Sequence, residues 1–315
     1  MVGSSAGAFL VLCGKEVEMP KRKKQGTEKR WQEERASKIF AHSLALLRSN
    51  RAEPLIDLLS DAWEQAFPYY QRATFRAPLC HHAHVLQFAA MIGLEEKLLQ
   101  NHLRSLLLAA IFHDTGWEQE AGGKILRGRE FAQAARERER LKSQRLLHAK
   151  RSAEIAGAFL RGCAHEIPQE EIKLIQQLCE RHDYPAVARM AENEVEMRRY
   201  LFSHDADDLL QRILREADCL WMLTRDGVAT ALLQQQLREH WKHVSAQITH
   251  NIIRQWEERQ LYERAFADKA EAYGFEAQTA FFTTKFGKRF FLLQQDILRS
   301  YSLEDWRRYL QQIEE

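Results

Sequence analysis

Five stretches of the chain set a histidine or an aspartate into an apolar helical pattern: His81, the adjacent pair His113-Asp114, His148, His182 and Asp218. Imidazole and carboxylate together suit Mn, Fe, Co, Mg or Zn. The five cysteines, Cys13, Cys80, Cys163, Cys179 and Cys219, form no CxxC pair, which argues against a structural zinc site. The clearest stretch is Leu106 to Gly116. Seven apolar residues, Leu106 to Phe112, run straight into His113-Asp114, and Thr115-Gly116 follows. A run without a polar face predicts a helix buried on all sides, with Gly116 as its stop. Burying an imidazole and a carboxylate at its end is costly unless they pair or coordinate a metal. Alone, the pair also fits an ordinary helix end, with His113 at the dipole and Asp114 capping the next element.

The elements that carry the other residues decide between these readings. After Pro78, Val85, Phe88, Ala89 and Ile92 recur at helical spacing. His81 shares their face, as does His84, while His82 is expected to point elsewhere. Register alone selects His81 over His84 as the ligand. From Leu146 to Leu160, His148 is in line with Ser152, Ile155, Ala156 and Phe159. Pro168 starts a helix with Ile172, Ile175, Leu178 and Cys179 inward, ending in Arg181-His182-Asp183, where only His182 is given a role. In the helix Leu209 to Trp221, Asp218 sits against the inward stripe of Leu210, Ile213, Leu214 and Ala217. His204-Asp205 reads as a helix-start cap outside the site. The candidates follow one another in steps of 32 to 36 residues, about two helices each. An up-and-down bundle returns every second helix end to one region.

Composition points to the same architecture. The 315 residues are 45% hydrophobic and 29% charged, with only six prolines and 14 glycines, so an all-α fold with a large core is expected. Residues 1–27 read as a disordered or mis-started extension, with Met19 as an alternative start. Residues 28–70 read as N-terminal helices packing on the core; Pro54 opens one and Pro68 ends it. The main domain spans 75–300, with a break at Gly93 and a long helix from about Glu95, and 301–315 forms a C-terminal helix. A net charge of +2 gives no case for nucleic acid, and no apolar run is long enough for a membrane span. An odd number of unpaired thiols fits the cytoplasm. Residues 119–147 are strongly basic, either a solvated, salt-bridged helix or a cationic flap over an anionic substrate. Lys150 and Arg151 extend that basic run as candidate phosphate ligands. The charged stretch 235–270 reads as solvated helix, with a homodimer interface as the alternative.

The order H…HD…H…H…D resembles the signature of the HD superfamily of metal-dependent phosphohydrolases. His81-His82-Ala83-His84-Val85-Leu86-Gln87 is similar to its first motif, and His113-Asp114-Thr115-Gly116 to the defining HD-x-G. Glu216-Ala217-Asp218-Cys219-Leu220, followed by Gly227-Val228, resembles the closing A-D-x-L…G-V segment. Phe282-Thr283 to Gly287-Lys288 looks like the late F-T…G-R helix pair of some bacterial members. The resemblance covers residues 75–300. It implies an HD-domain helical bundle that hydrolyses a phosphate ester, a nucleotide or related phosphomonoester or diester, with a metal-activated water. It also implies His81, His113, Asp114 and Asp218 as ligands of a first divalent ion and His148 and His182 as ligands of a second. Asp114 would bridge the two ions and carry the chemistry. No GYP motif and no downstream E-D is present, so neither cyclic dinucleotides nor alarmones are specifically indicated. Two alternatives stand beside this reading: an HD-type di-iron oxygenase using the same six ligands, and a non-catalytic nucleotide-binding regulator.

Overall fold

The computed structural model describes residues 24–50, 52–72, 79–117, 134–189, 193–200, 206–234, 282–302, 304–306 and 308–309. Residues 1–23 of the N-terminal extension, the Gly122-Gly123 part of the basic segment, His204-Asp205 and the 235–270 stretch lie outside them; residues 24–27, expected in the extension, are helical. Among the described residues there is no strand, and the fold is all-α as expected. The helices are α1 (Lys24–Ser49), α2 (Ile56–Arg72), α3 (Leu79–Glu95), α4 (Gln100–Phe112), α5 (Ala134–Gly162) and α6 (Gln169–Arg181). They continue with α7 (Tyr184–Arg189), α8 (Glu194–Tyr200), α9 (Ala206–Leu220), α10 (Arg225–Gln234) and α11 (Lys285–Ser300).

Helices α3 and α4 form the inside of the molecule. In α4 every residue from Ser105 to Phe112 is buried, and α3 is buried from Leu79 to Leu86 and again over Phe88, Ala89 and Ala90. Around α3 pack α1, α4 and α9, and α6 lies between α4 and α5. The outer helices show the one-sided pattern expected of them: α6 buries Ile172, Ile175, Leu178 and Cys179. One continuous core joins α1 and α2 to α3, α4, α5, α6, α9 and the start of α11.

Three expected boundaries are moved. Helix α2 runs through Pro68 to Arg72. Pro68 lies on the exposed face, where the carbonyl it strands can bond water. Beyond it Tyr70 is fully buried and donates its hydroxyl to the Ile111 carbonyl, which holds the last turn in place. Helix α3 likewise continues past Gly93, and the chain turns at Lys97, whose φ is 55°. Gly93 instead permits close packing on α4, since a Cβ there would stand 2.8 Å from Leu103 Cδ1. Helix α5 starts at Ala134, ahead of the stretch read from Leu146, so residues 134–147 of the basic segment are its first turns.

Two buried carboxylates tie the ends of the chain to this bundle. Asp226 receives a hydrogen bond of 2.8 Å from Arg35 Nε on α1, lies 2.8 Å from His84 Nε2 on α3, and accepts from the Tyr309 hydroxyl. Burial opposes its ionised form, but His84, Tyr309 and the Arg35 charge outweigh that and hold the carboxyl at about 2. A depressed carboxyl contributes stability that is complete above its unfolded value near 4 and lost as pH falls toward 2. The shift corresponds to about 2 kcal/mol. Urea midpoints at pH 6 and pH 2.5 should therefore show a larger acid loss in wild type than in Asp226→Asn; equal losses would remove Asp226 from the acid transition.

The second carboxylate is Glu216, fully buried on α9. It accepts hydrogen bonds from Thr283 and from the Thr284 backbone N–H (3.0 Å) and hydroxyl (2.6 Å). Thr284 Oγ1 in turn caps α11 by accepting from the Gly287 N–H at 2.9 Å. A Cβ at Gly287 would stand 2.4 Å from Glu216 Oε2, so only glycine lets the helix start sit so close. Removing the carboxylate leaves several buried donors without an acceptor. Glu216→Ala is expected to cost about 3 kcal/mol in urea unfolding, and a loss below about 1 kcal/mol would show that α11 is held elsewhere.

Candidate metal centre

Three of the four histidines are fixed by a bond on the far side of the ring. His113 follows the last residue of α4, and its Nδ1 donates to the Ala110 carbonyl at 2.9 Å. His182 stands in the same place after α6, with Nδ1 donating to the Cys179 carbonyl at 2.7 Å. Each uses a carbonyl that a helix end leaves free. His148, inside α5, turns Nδ1 toward the Gln144 carbonyl at 3.3 Å. The three Nε2 atoms therefore face the interior of the site. His81, in the first turn of α3, packs edge-on to Trp221 with ring centroids 4.9 Å apart.

These nitrogens converge in two groups around one carboxylate. In the first, His81 Nε2 is 3.1 Å from His113 Nε2, 3.3 Å from Asp114 Oδ2 and 3.3 Å from Asp218 Oδ1. His113 Nε2 completes the figure at 3.6 Å from Asp114 Oδ2 and 3.8 Å from Asp218 Oδ1. In the second, His148 Nε2 and His182 Nε2 are 3.2 Å apart and lie 3.3 and 3.1 Å from Asp114 Oδ1. Ligands about 2.1 Å from one ion stand roughly 3.0–3.4 Å from each other, close to these separations. Asp114 thus turns Oδ2 to one group and Oδ1 to the other. All six residues singled out in the sequence meet here, and His84 does not, since it faces Asp226.

The electrostatics favour positive charge at the centre. Burial opposes ionisation of Asp114, but the surrounding histidines, His113 first, hold it well below the usual carboxylate range. Asp218 is lowered against its burial by His113 and His81. Burial disfavours the cationic form of His113 and His182 too, yet the carboxylates raise both, His182 to about 9. His148 is lowered, mainly by burial. The carboxylates thus favour positive charge on His113 and His182, the charge that a metal ion would also supply.

The surroundings correct one expectation. His82 does not point away: it is fully buried, stacked on Tyr70 at 3.7 Å between centroids, and has a ligand atom within 4.8 Å of those of His81 and His113. A helix buried on every side has no outward face to receive it. Lys150 does not join the six: it is exposed in a groove between α5 and α6 with Glu154, Lys173 and Glu180. Two residues past His148, it stands on the opposite side of α5. Arg151 remains nearby, packed at Gly116.

Three neighbours were not assigned from the sequence. Trp117 stacks on His148 at 3.7 Å and donates its indole N–H to Asp114 Oδ1 at 3.1 Å. Asp183 Oδ2 lies 3.6 Å from His148 Nε2, and Arg145 donates to Asp183 Oδ1 at 2.6 Å. The repeat of His-Asp at 182–183 was the available signal for Asp183. The site opens beside Asp218, whose side chain is 31% exposed against at most 12% for the other five residues.

No family model, curated protein or solved structure matches this chain. Among the described residues no helix is long and apolar enough to cross a membrane. The buried His/Asp groups are a candidate site for a metal ion.

Proposed function

We propose that this protein is a dinuclear metal-dependent hydrolase of a small phosphate ester, nucleotides included, of the kind the HD superfamily performs. One observation carries the reading: the two oxygens of Asp114 face two separate histidine pairs, the arrangement of a bridging carboxylate. His81, His113, Asp114 Oδ2 and Asp218 would hold one ion, and Asp114 Oδ1, His148 and His182 the other. Two such ions supply Lewis acidity toward phosphoryl oxygens and make water acidic enough to attack near neutral pH. The chain's own groups do the rest. Bonds to Ala110 and Cys179 fix the ring orientations, Trp117 shields His148 and orients Asp114, and the exposed edge of Asp218 leaves the substrate a way in. We place the protein in the cytoplasm on the strength of thiols such as Cys80, Cys163 and Cys179, none of them in a disulfide.

The test is to strip the full chain of metal, reload it with Mn, Mg, Co or Fe, and offer a panel of phosphate esters with and without O₂. Release of phosphate or of a nucleotide product independent of O₂ is the expected result. Turnover that requires iron and consumes O₂ would replace hydrolysis with oxygenation. Nucleotide binding without turnover under every metal would make the protein a regulator instead.

A further inference from the structure

We infer that Asp183 is a fourth protein donor at the second cation position, held there by Arg145, so that both halves of the centre offer two imidazoles and two carboxylate oxygens. The inference rests on the two-ion reading above and extends its ligand set.

The geometry of the first position is the standard of comparison. Its two histidine nitrogens stand 3.1 Å from each other and 3.3 to 3.8 Å from the two carboxylate oxygens. At the second position His148, His182 and Asp114 Oδ1 stand 3.1 to 3.3 Å apart, and Asp183 Oδ2 lies 3.6 Å from His148 Nε2, inside the same range. That oxygen is buried and has no hydrogen-bond partner among the described residues. A buried carboxylate oxygen left without a donor is costly unless a cation takes it. Its other oxygen is already committed to Arg145 Nη1, which prevents the carboxylate from turning away and leaves Oδ2 as a single ligand atom.

The local sequence explains the placement. Helices α4 and α6 end in the same way, with a histidine bonded to the carbonyl three residues back and an aspartate next in line. After α4 that aspartate lies between the two histidine pairs. After α6 it lies beside His148, on the outer side of the second pair, as Asp218 lies beside His81 and His113 at the first. The charges are consistent with an anionic substrate. Asp114, Asp183 and Asp218 against two divalent ions and the Arg145 guanidinium leave a net positive pocket, which a phosphate would neutralise.

The competing reading is a plain ion pair that fastens the end of α6 to α5. It predicts that removing either partner has the same effect on metal binding. The experiment is calorimetric titration of the metal-free full chain with Mn²⁺, followed by electron paramagnetic resonance of the loaded protein. Wild type should take two ions and give the spectrum of a spin-coupled pair. Asp183→Ala should keep the first ion, bind the second at least about tenfold more weakly, and give an isolated-ion spectrum at equal loading. Asp183→Asn keeps the shape and one Arg145 acceptor, and should show the same loss if alanine perturbs folding. Arg145→Met should still take both ions and gain more thermal stability from Mn²⁺ than wild type, because it leaves the buried carboxylate for the metal alone to neutralise. A second-ion affinity in both Asp183 variants within about twofold of wild type would overturn the inference while leaving the two-ion reading intact. So would an equal loss in Arg145→Met. A wild type that takes fewer than two ions overturns both.

Discussion

Asp114→Ala should lose both ions at once and lower hydrolysis by about 10³-fold or more. Each other candidate ligand serves one group, whereas Asp114 Oδ2 lies 3.3 Å from His81 Nε2 and Oδ1 lies 3.1 Å from His182 Nε2. Removing either His81 or His182 should therefore weaken one ion and spare the other. Asp114→Asn is the sharper test. It keeps the size of the side chain but offers a single oxygen and no charge, so at most one ion is expected, held more weakly. Metal content and the thermal shift on adding Mn²⁺ read this directly. An alanine variant that still carried two ions would show that the carboxylate does not bridge.

Gly116→Ala is expected to do damage of a different kind. A Cβ at this position would stand 2.1 Å from the His148 carbonyl oxygen and 2.7 Å from the Ser152 N. Both are backbone atoms of α5, so no side-chain adjustment relieves the clash; α5 itself must withdraw by about an ångström. Overpacking of this sort costs about 3 kcal/mol. The displacement also breaks the 2.9 Å bond from the Gly116 N–H to Ser152 Oγ and moves His148 away from His182 and Asp114. The second ion should be lost while the first is kept, and urea unfolding should show the stability loss. Gly162→Ala, where nothing lies within 4 Å, is the control and should leave the metal content unchanged. Two ions and wild-type stability in Gly116→Ala would mean that α5 is not seated against this turn.

The residues that could be read from the sequence are those whose role follows from one helix at a time. The apolar run Leu106 to Phe112 announced a buried helix, and the even spacing of His81, His113, His148, His182 and Asp218 announced a bundle that gathers them. What was not legible depends on pairs of elements. His82 was sent outward by a period argument that holds only for a helix with a wet face, and α3 has almost none. Pro68 and Gly93 looked like breaks because their local cost is visible in the sequence, while the burial of Tyr70 and the approach of Leu103 that sustain the helices are not. Lys150 shares a basic run with Arg145, but the turn of α5 puts them on different sides. Glu216 stood in a motif noted for Asp218, and its partners are 67 and 68 residues further on.

The most direct measurement is the metal content of the full chain after reloading with Mn²⁺ or Fe²⁺ and removal of free ion. Two ions per chain, both absent from Asp114→Ala, is the result expected of a carboxylate shared between two histidine pairs. A wild-type chain that retains no metal under these conditions would contradict it.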